Sequence, residues 1–159
     1  MRTRVIGLLL ALVAFPALAG HLTIVEKLSG DGELNVATYF EASNDQHNNP
    51  VKVGLLGIVT PGTKRISITF TAAEWPVLSA LWTKAAAAQS NSWQTIGTFN
   101  ETGTDDPSVL TMSAGQGVQI VISSPAVGAR TFVVLPSELN RLTAALQRTQ
   151  VSLDNQSSE

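Results

Sequence analysis

The residues that could perform acid–base or metal chemistry are few in this chain. It has two histidines, His21 and His47, and His47 closely follows Asp45. A hydrolytic triad needs a nucleophile held by a base and an orienting acid, and no Gly-x-Ser-x-Gly elbow or comparable motif occurs. A hydrolase or metal enzyme would require His47 to meet a carboxylate at the floor of a pocket. We therefore predict no catalytic residues, no enzymatic activity and no cofactor.

A copper site at the amino terminus is one alternative that the sequence leaves open. If a leader were removed after Gly20, His21 would become the first residue, and its amine and imidazole would chelate copper, with His47 as a third nitrogen. The small-x-small pattern of residues 17–19 instead predicts that the mature chain begins at Gly20. In a chain that begins at Gly20, His21 has no free amino group, so its amine and imidazole cannot chelate copper together.

Other polar clusters have the composition of turns. Asp105 and Asp106 directly precede Pro107, and Gly-x-Gly segments occur at 30–32 and 115–117. Both Gly-x-Gly segments precede a predicted strand rather than a helix, so no helix N-terminus is available there to hold an anion. We interpret all three clusters as turns.

The first nineteen residues have the organisation of a signal peptide. Arg2 and Arg4 supply a positive start, residues 5–15 form an apolar run, and Pro16 separates that run from the cleavage motif. The run is too short to span a bilayer comfortably, and the sequence has no second one. We therefore expect removal of residues 1–19, no stable membrane insertion, and export to a Gram-negative periplasm or secretion.

The net charge of the chain indicates which partners it would bind, and its cysteine content indicates the compartment in which it would fold. The chain has 10 Lys and Arg against 12 Asp and Glu, so loss of Arg2 and Arg4 moves the net charge from −2 to −4. Because cations that neutralise phosphates supply most nonspecific affinity, this balance disfavours a nucleic-acid partner without excluding it. The sequence has no cysteine. An exported domain stabilised by burial alone is better suited to a periplasm than to an extracellular fluid.

Eight segments have the residue pattern of β-strands. Alternation of apolar and polar residues, with turn residues between segments, is typical of strands that have one buried face. The predicted strands are 22–28, 33–42, 51–60, 65–70, 93–99, 108–112, 118–123 and 130–135. The polar stretches 43–50 and 100–107 carry almost nothing to bury, so we expect them to be exposed loops.

Each group of four strands leads into a predicted helix. Thr71 and Glu74 have the spacing of a capping box, and apolar residues follow at helical intervals. Pro76 would stand at the fifth helical position, so this helix is expected to begin later than the cap or to bend. The second helix is expected over 136–150, and residues 151–159 form a polar tail that we expect to be frayed.

The order of four strands and a helix therefore occurs twice. When Glu138 is aligned with Glu74, apolar residues coincide: Phe132 with Ile68, Val134 with Phe70, Leu139 with Trp75 and Leu142 with Leu78. We predict an α+β fold of two four-stranded antiparallel sheets, each followed by a helix, produced by internal duplication. One domain would cover residues 20–150, with repeat halves of about 20–90 and 91–150. Neither half is expected to be stable alone.

The doubled unit resembles the plant Whirly proteins and the related transcriptional coactivators that bind single-stranded DNA. The segment PGTKRISITFTAAEWPVL, residues 61–78, is similar to the last strand of those families where it continues into a helix. A second segment, VGARTFVVLPSEL (residues 127–139), is less similar to the same strand-to-helix junction. Most of the similarity concerns packing and capping, so it bears on the fold more than on the activity.

Residues for nucleic-acid binding follow from that resemblance. It implies that basic side chains track phosphates and that aromatic rings stack on bases. The corresponding residues are Lys52, Lys64, Arg65 and Arg130 for phosphates, and Tyr39 and Trp93 for bases. The Lys-Gly-Lys type of motif found in Whirly strands is absent, and the acidic stretch SGDGELNV, residues 29–36, stands in its place. Single-stranded nucleic-acid binding is therefore the alternative function.

The main expectation is a noncatalytic binding or interaction protein of the bacterial envelope. Its partner would be a protein, a peptide or another envelope component, and a homo-oligomer is compatible with it. Binding would use a sheet face or the loops 43–50 and 100–107. The hypothesis predicts an exposed aromatic or apolar patch around Tyr39, Trp82 or Trp93.

Overall fold

The strands and helices occur in the order that the sequence predicts. The structure, a computed structural model, describes residues 22–41 and 51–155. Sheet A consists of β1 (Thr23–Ser29), β2 (Glu33–Glu41), β3 (Val51–Val59) and β4 (Ile66–Phe70). Sheet B consists of β5 (Gln94–Asn100), β6 (Val109–Gly115), β7 (Gly117–Ser124) and β8 (Gly128–Val134). Both sheets are antiparallel, with strands side by side in chain order.

Each sheet is followed by a helix. Helix α1 (Trp75–Ala87) follows sheet A, and a 3-10 turn at Pro136–Glu138 leads from sheet B into helix α2 (Leu139–Asp154). The predicted class, two four-stranded antiparallel sheets each followed by a helix, is therefore confirmed.

The two sheet-and-helix units are alike in detail. β1 and β5 each contain a bulge after the second residue of the strand, Ile24 in one and Thr95 in the other. The order of exposed and buried positions along the two strands is also the same, with Leu28 and Phe99 buried at equivalent places. A bulge changes which residues face the core. Its recurrence at one place means that the units share a register as well as a strand order.

The start of α1 confirms the predicted capping box. The backbone N–H of Glu74 donates to Thr71 Oγ1 at 3.3 Å, and the backbone N–H of Thr71 donates to Glu74 Oε2 at 2.8 Å. The helix itself begins at Trp75, so Pro76 lies in the first turn, where its missing N–H breaks no intrahelical hydrogen bond. Glu138, which aligns with Glu74, likewise directly precedes α2.

Each helix packs mainly on the sheet of the other unit. α1 contacts β5, β6 and β7, whereas α2 contacts β1, β2 and β3. The helices also meet, and the Trp82 indole N–H donates to Thr143 Oγ1 at 2.9 Å. Buried residues from both sheets and both helices form one hydrophobic cluster. A sheet separated from the helix of the other unit would expose an apolar face, which explains why neither half is expected to be stable alone.

Two elements, β6 and α2, end at least three residues later than predicted. β6 continues to Gly115, so Gln116 alone connects it to β7. α2 continues to Asp154, past the predicted end at Gln150, because Leu153 packs into the core. The tail that contains this turn is mostly polar, so its composition does not indicate that Leu153 would be buried in the core.

Several sequence predictions concern residues outside the described ranges. They are the signal peptide of residues 1–19, the candidate copper ligands His21 and His47, and the loop 43–50. Neither helix in the described ranges is long and apolar enough to cross a membrane.

The last turn of α2 can be tested with a matched pair of substitutions. Leu153 is 1% exposed, whereas Val151 is 59% exposed. We expect Leu153→Ala to lower the free energy of unfolding by about 2–4 kcal/mol, because it removes buried apolar area and leaves a cavity. Val151→Ala should change it by less than about 0.5 kcal/mol. Chemical denaturation measures both values, and equal effects would contradict the packing of this turn.

Glu26 on β1 is held by two arginines of α2. One carboxylate oxygen accepts from Arg141 Nη2 at 2.7 Å, and the other accepts from Arg148 Nη2 at 3.4 Å. The hydrogen bond from Arg141, aided by the backbone N–H of Lys27, lowers the pKa of Glu26 below its ordinary value of 4.5. This contact joins the second helix to the first strand, so it ties the two units together.

The lowered pKa of Glu26 predicts a pH dependence of stability. The folded state favours the charged carboxylate, so the contact stabilises the fold above pH 4.5 and is lost as the pH falls through the lower, folded-state pKa. We expect Glu26→Gln to lower the Tm near neutral pH and to match the native Tm in strong acid. Thermal melts at the two pH values check this. Glu33→Gln, at a more exposed ion pair, is the control and should change the Tm less.

Candidate functional site

The three tryptophans divide into two buried side chains and one exposed side chain. Trp75 and Trp82 are 6% and 3% exposed and belong to the core, whereas Trp93 is 48% exposed. Trp82 therefore does not contribute to the expected surface patch, because its side of α1 faces the core. Trp93, just before β5, is the tryptophan that the protein presents to solvent.

The Trp93 indole covers Gly115 on the outer face of sheet B. Gly115 shares its outward direction with Ser113, opposite to the buried Met112 and Ala114. A Cβ on Gly115 would lie 2.6 Å from Trp93 Cδ2, 2.8 Å from Cε3 and 3.0 Å from Cε2. Cδ2 is a ring-fusion carbon, which can be approached only over the face of the indole. One face of the ring therefore rests on the sheet, and the other is the exposed one.

An open groove of about 530 Å³ lies beside Gly115, at the turn between β6 and β7. Its other lining residues are uncharged and combine amide, hydroxyl and apolar groups: Gln89, Ser90, Asn91, Gln116, Leu135 and Pro136. Gln89 is fixed in place, since its Nε2 donates to Gly117 O at 3.2 Å and its Oε1 accepts from Gly117 N–H at 2.8 Å. Asn91, Gln116 and Leu135 are exposed at the rim.

The outer face of sheet B carries hydroxyl, amide and small apolar side chains. The four strands contain one charged residue, Arg130, near the start of β8. Close to Gly115, one row of outward positions crosses the sheet in register: Thr95, Ser113, Gln119 and Val133. Each of these is at least partly exposed. This face is therefore accessible and uncharged.

The outer face of sheet A differs. In the places that Ser113 and Gln119 occupy in sheet B, it has Ala37 and Leu55, which pair with each other and are 0% and 8% exposed. The strands of sheet A also contain five charged residues: Glu26, Lys27, Glu33, Glu41 and Lys52. Of the two sheets, B thus presents the accessible surface that is polar but uncharged.

The basic residues selected from the sequence are divided between two places. Lys64 and Arg65 lie between β3 and β4, and Arg130 reaches the same turn, where its Nε donates to Thr63 Oγ1 at 3.2 Å. Lys52 lies near the other end of β3, roughly 20 Å away at about 3.3 Å per residue. The structure therefore brings three of the four cations together.

The aromatic candidates lie on different sheets. Tyr39 is half-buried on β2, opposite Val53. Beside it, Lys52 Nζ lies 5.2 Å from the centre of the Phe40 ring. Trp93 is on the outer face of sheet B. The candidate stacking residues and the cation cluster therefore do not form one continuous site.

The Arg65 guanidinium is partly desolvated. It lies against β3, with Nε and Nη2 at 3.0 and 3.1 Å from the place where a Gly57 Cβ would be. Both nitrogens are buried and have no hydrogen-bond partner among the residues that the structure describes. Burial lowers the pKa of Arg65. A buried polar group without a partner costs free energy, so we expect this arginine to weaken the fold.

Replacing Arg65 tests that cost. Arg65→Met keeps an unbranched apolar stem on β3 and removes the unpaired N–H groups, so we expect the free energy of unfolding to rise by roughly 1 kcal/mol. Lys64→Met, at the exposed neighbouring position, should leave it within about 0.5 kcal/mol. Urea denaturation compares the variants. Destabilisation by Arg65→Met would mean that the guanidinium has an acceptor in solution.

The first residues of the loop 100–107 form hydrogen bonds with other parts of the protein. Glu101 Oε1 accepts from the backbone N–H and the hydroxyl of Thr69 on β4, at 2.9 and 2.6 Å. The Thr102 hydroxyl donates to Glu74 at the start of α1. The first residues of the loop therefore hold the edge of sheet A and are occupied by these contacts.

The remaining polar clusters lie where the sequence places turns. Asp105 and Asp106 are exposed between β5 and β6, and the Gly-x-Gly segments at 30–32 and 115–117 are at hairpin turns. In the part of the chain that the structure describes, no group of three His, Asp or Glu side chains could hold a metal ion.

A second groove, of about 430 Å³, lies between the turn of β1 and β2 and the strand β8.

No protein-family model matches the chain, and no curated protein matches it. Sequence reasoning selected Trp93 but missed the groove, whose amides come from the segment after α1 and from the turn between β6 and β7. Gly115 was an available signal. An outward-facing glycine in a strand allows another group to approach the backbone closely.

Proposed function

We propose that the protein is an exported, noncatalytic binding protein of the bacterial envelope. Its binding surface is the groove at the turn between β6 and β7 together with the outer face of sheet B around Trp93. The observation that carries this proposal is the exposure of Trp93, at 48%, while the other two tryptophans are buried. Burying apolar surface is worth about 25 cal/mol per Å², so a partner that covers the indole gains free energy. Tryptophan is also enriched among the residues that contribute most to binding.

The segment that carries Trp93 is held in position. Ser90 N–H donates to Gly115 O at 3.0 Å before it, and Gln94 pairs with Ala114 after it. A side chain that is already ordered loses less conformational entropy when a partner binds. This favours a ready-made binding surface rather than one assembled by the partner.

The compartment and the lack of catalysis are supported by sequence features. Arg2, Arg4 and the apolar run 5–15 have the organisation of an export signal, and the chain has no cysteine. No nucleophile motif of a hydrolase occurs. A protein, a peptide or another envelope component is the proposed partner.

Single-stranded nucleic-acid binding is the second candidate. The cluster of Lys64, Arg65 and Arg130 at the turn between β3 and β4 favours it, because cations near one another attract a phosphate backbone. Trp93, however, lies on the sheet whose strands contain one charged residue. The aromatic and basic parts of such a site would therefore lie apart.

Capture from envelope extract tests the proposed function. The full chain with a C-terminal tag is expressed in a Gram-negative host, recovered from the periplasmic fraction and cross-linked to envelope extract. We expect Trp93→Ala to deplete captured components about tenfold, as loss of a stacked aromatic anchor would. Val151→Ala, which removes an exposed apolar side chain from α2, should leave capture unchanged.

Three results would count against this function. They are retention in the cytoplasm, equal capture by the native protein and Trp93→Ala, and salt-sensitive retention on an oligonucleotide column. In the third case, loss of retention in Arg130→Ala would point to the nucleic-acid alternative.

A further inference from the structure

The surroundings of Trp93 have the chemistry of a carbohydrate site. Building on the proposed function, we propose that the groove and the adjoining outer face of sheet B bind a neutral oligosaccharide, with one sugar ring stacked on the Trp93 indole. A sugar ring has C–H groups on its faces and hydroxyl groups around its edge. It therefore fits a site with a flat aromatic ring below and hydrogen-bonding side chains beside it.

Trp93 has the geometry of a stacking platform. One indole face rests on Gly115, where a Cβ would lie 2.6 Å from the ring, and the side chain is 48% exposed. Because Gly115 has no side chain, the ring lies close to the sheet. On the same face, two positions before Gly115 on β6, Ser113 pairs with Gln119 on β7, so polar side chains neighbour the platform.

The polar groups around this platform both donate and accept hydrogen bonds. Asn91 and Gln116 offer exposed amides at the rim of the groove, and Thr95, Ser113 and Gln119 form a row across the sheet. An amide or a hydroxyl has donor and acceptor capacity, whereas a carboxylate only accepts and an ammonium group only donates. Sugar hydroxyls require both, so this set of side chains suits them.

Other ligand classes fit the surface less well. A polyanion needs cations, and the charged residue in the strands of sheet B, Arg130, is bound to Thr63 Oγ1 and to Ala129 O. The apolar chains of a lipid would remove water from Thr95 and Gln119 without replacing their hydrogen bonds. A neutral, polyhydroxylated chain meets the aromatic ring and the polar side chains together.

Titration with defined hexasaccharides tests this inference on the purified protein. Cellohexaose and N-acetylchitohexaose are the neutral probes, and hexagalacturonate is the charged one. Proton–nitrogen correlation spectra separate the three indole N–H signals. We expect a saturable shift of the Trp93 signal with at least one neutral probe and none with the acid, while the signals of the buried Trp75 and Trp82 stay in place. Which neutral probe binds distinguishes a glucan from an amino-sugar chain.

Three variants locate the effect at the platform. Trp93→Ala should weaken binding about tenfold, whereas Trp93→Phe, which keeps a flat ring, should retain most of the affinity. Gly115→Ala should displace the indole and weaken binding as well, since its Cβ would lie 2.6 Å from the ring. Gly30→Ala is the matched control, because its nearest neighbour, the Phe132 ring, is 3.6 Å away.

Absence of any Trp93 shift with both neutral probes at millimolar concentration overturns the inference. Equal binding of hexagalacturonate overturns it too. Neither result removes the proposed function, since Trp93-dependent capture of a protein from envelope extract would uphold binding at this surface and reject the sugar. If capture of envelope components did not depend on Trp93, the proposed function itself would be rejected.

Discussion

Each helix covers the sheet of the other unit, and the rest of the structure depends on that exchange. A four-stranded sheet buries one face, and here the cover for sheet A is α2 and the main cover for sheet B is α1. The Trp82–Thr143 hydrogen bond and the Glu26 contacts with Arg141 and Arg148 connect elements of different units. The hydrophobic cluster is accordingly one body that neither unit can complete. The stability of both units therefore depends on this shared core.

The need to fill the shared core restricts the residues on the inner face of each sheet. The residues on the outer faces can differ between the two sheets. The inner faces match closely, with Leu28 and Phe99 at equivalent buried positions. The outer faces do not match: Ala37 and Leu55 in sheet A stand where Ser113 and Gln119 stand in sheet B. Inner residues must fill a common core, so changes there are costly, whereas outer residues face no such requirement. A repeated fold can in this way carry a binding surface on one of its two units.

Much of the fold could be predicted from local pattern. Strand order, the capping box at Thr71 and Glu74 and the start of α1 after the cap, at Trp75, depend on neighbours in sequence, and the structure has all three. The last turn of α2 was missed because the tail contains only two apolar residues, Val151 and Leu153, of which Leu153 alone is buried. Its burial depends on a partner surface that is far away in the chain.

The candidate site shows where sequence reasoning ends. Trp93 could be selected as an aromatic residue, but nothing in its neighbourhood indicates that its indole lies on Gly115 rather than in the core. By itself, the amino-acid sequence determined the elements, their order and their repetition, because periodicity and capping act over a few residues. Only the tertiary structure decided which helix covers which sheet, which tryptophan is exposed and which amides line a groove. Those outcomes depend on contacts between segments that are distant along the chain, and local periodicity carries no record of them.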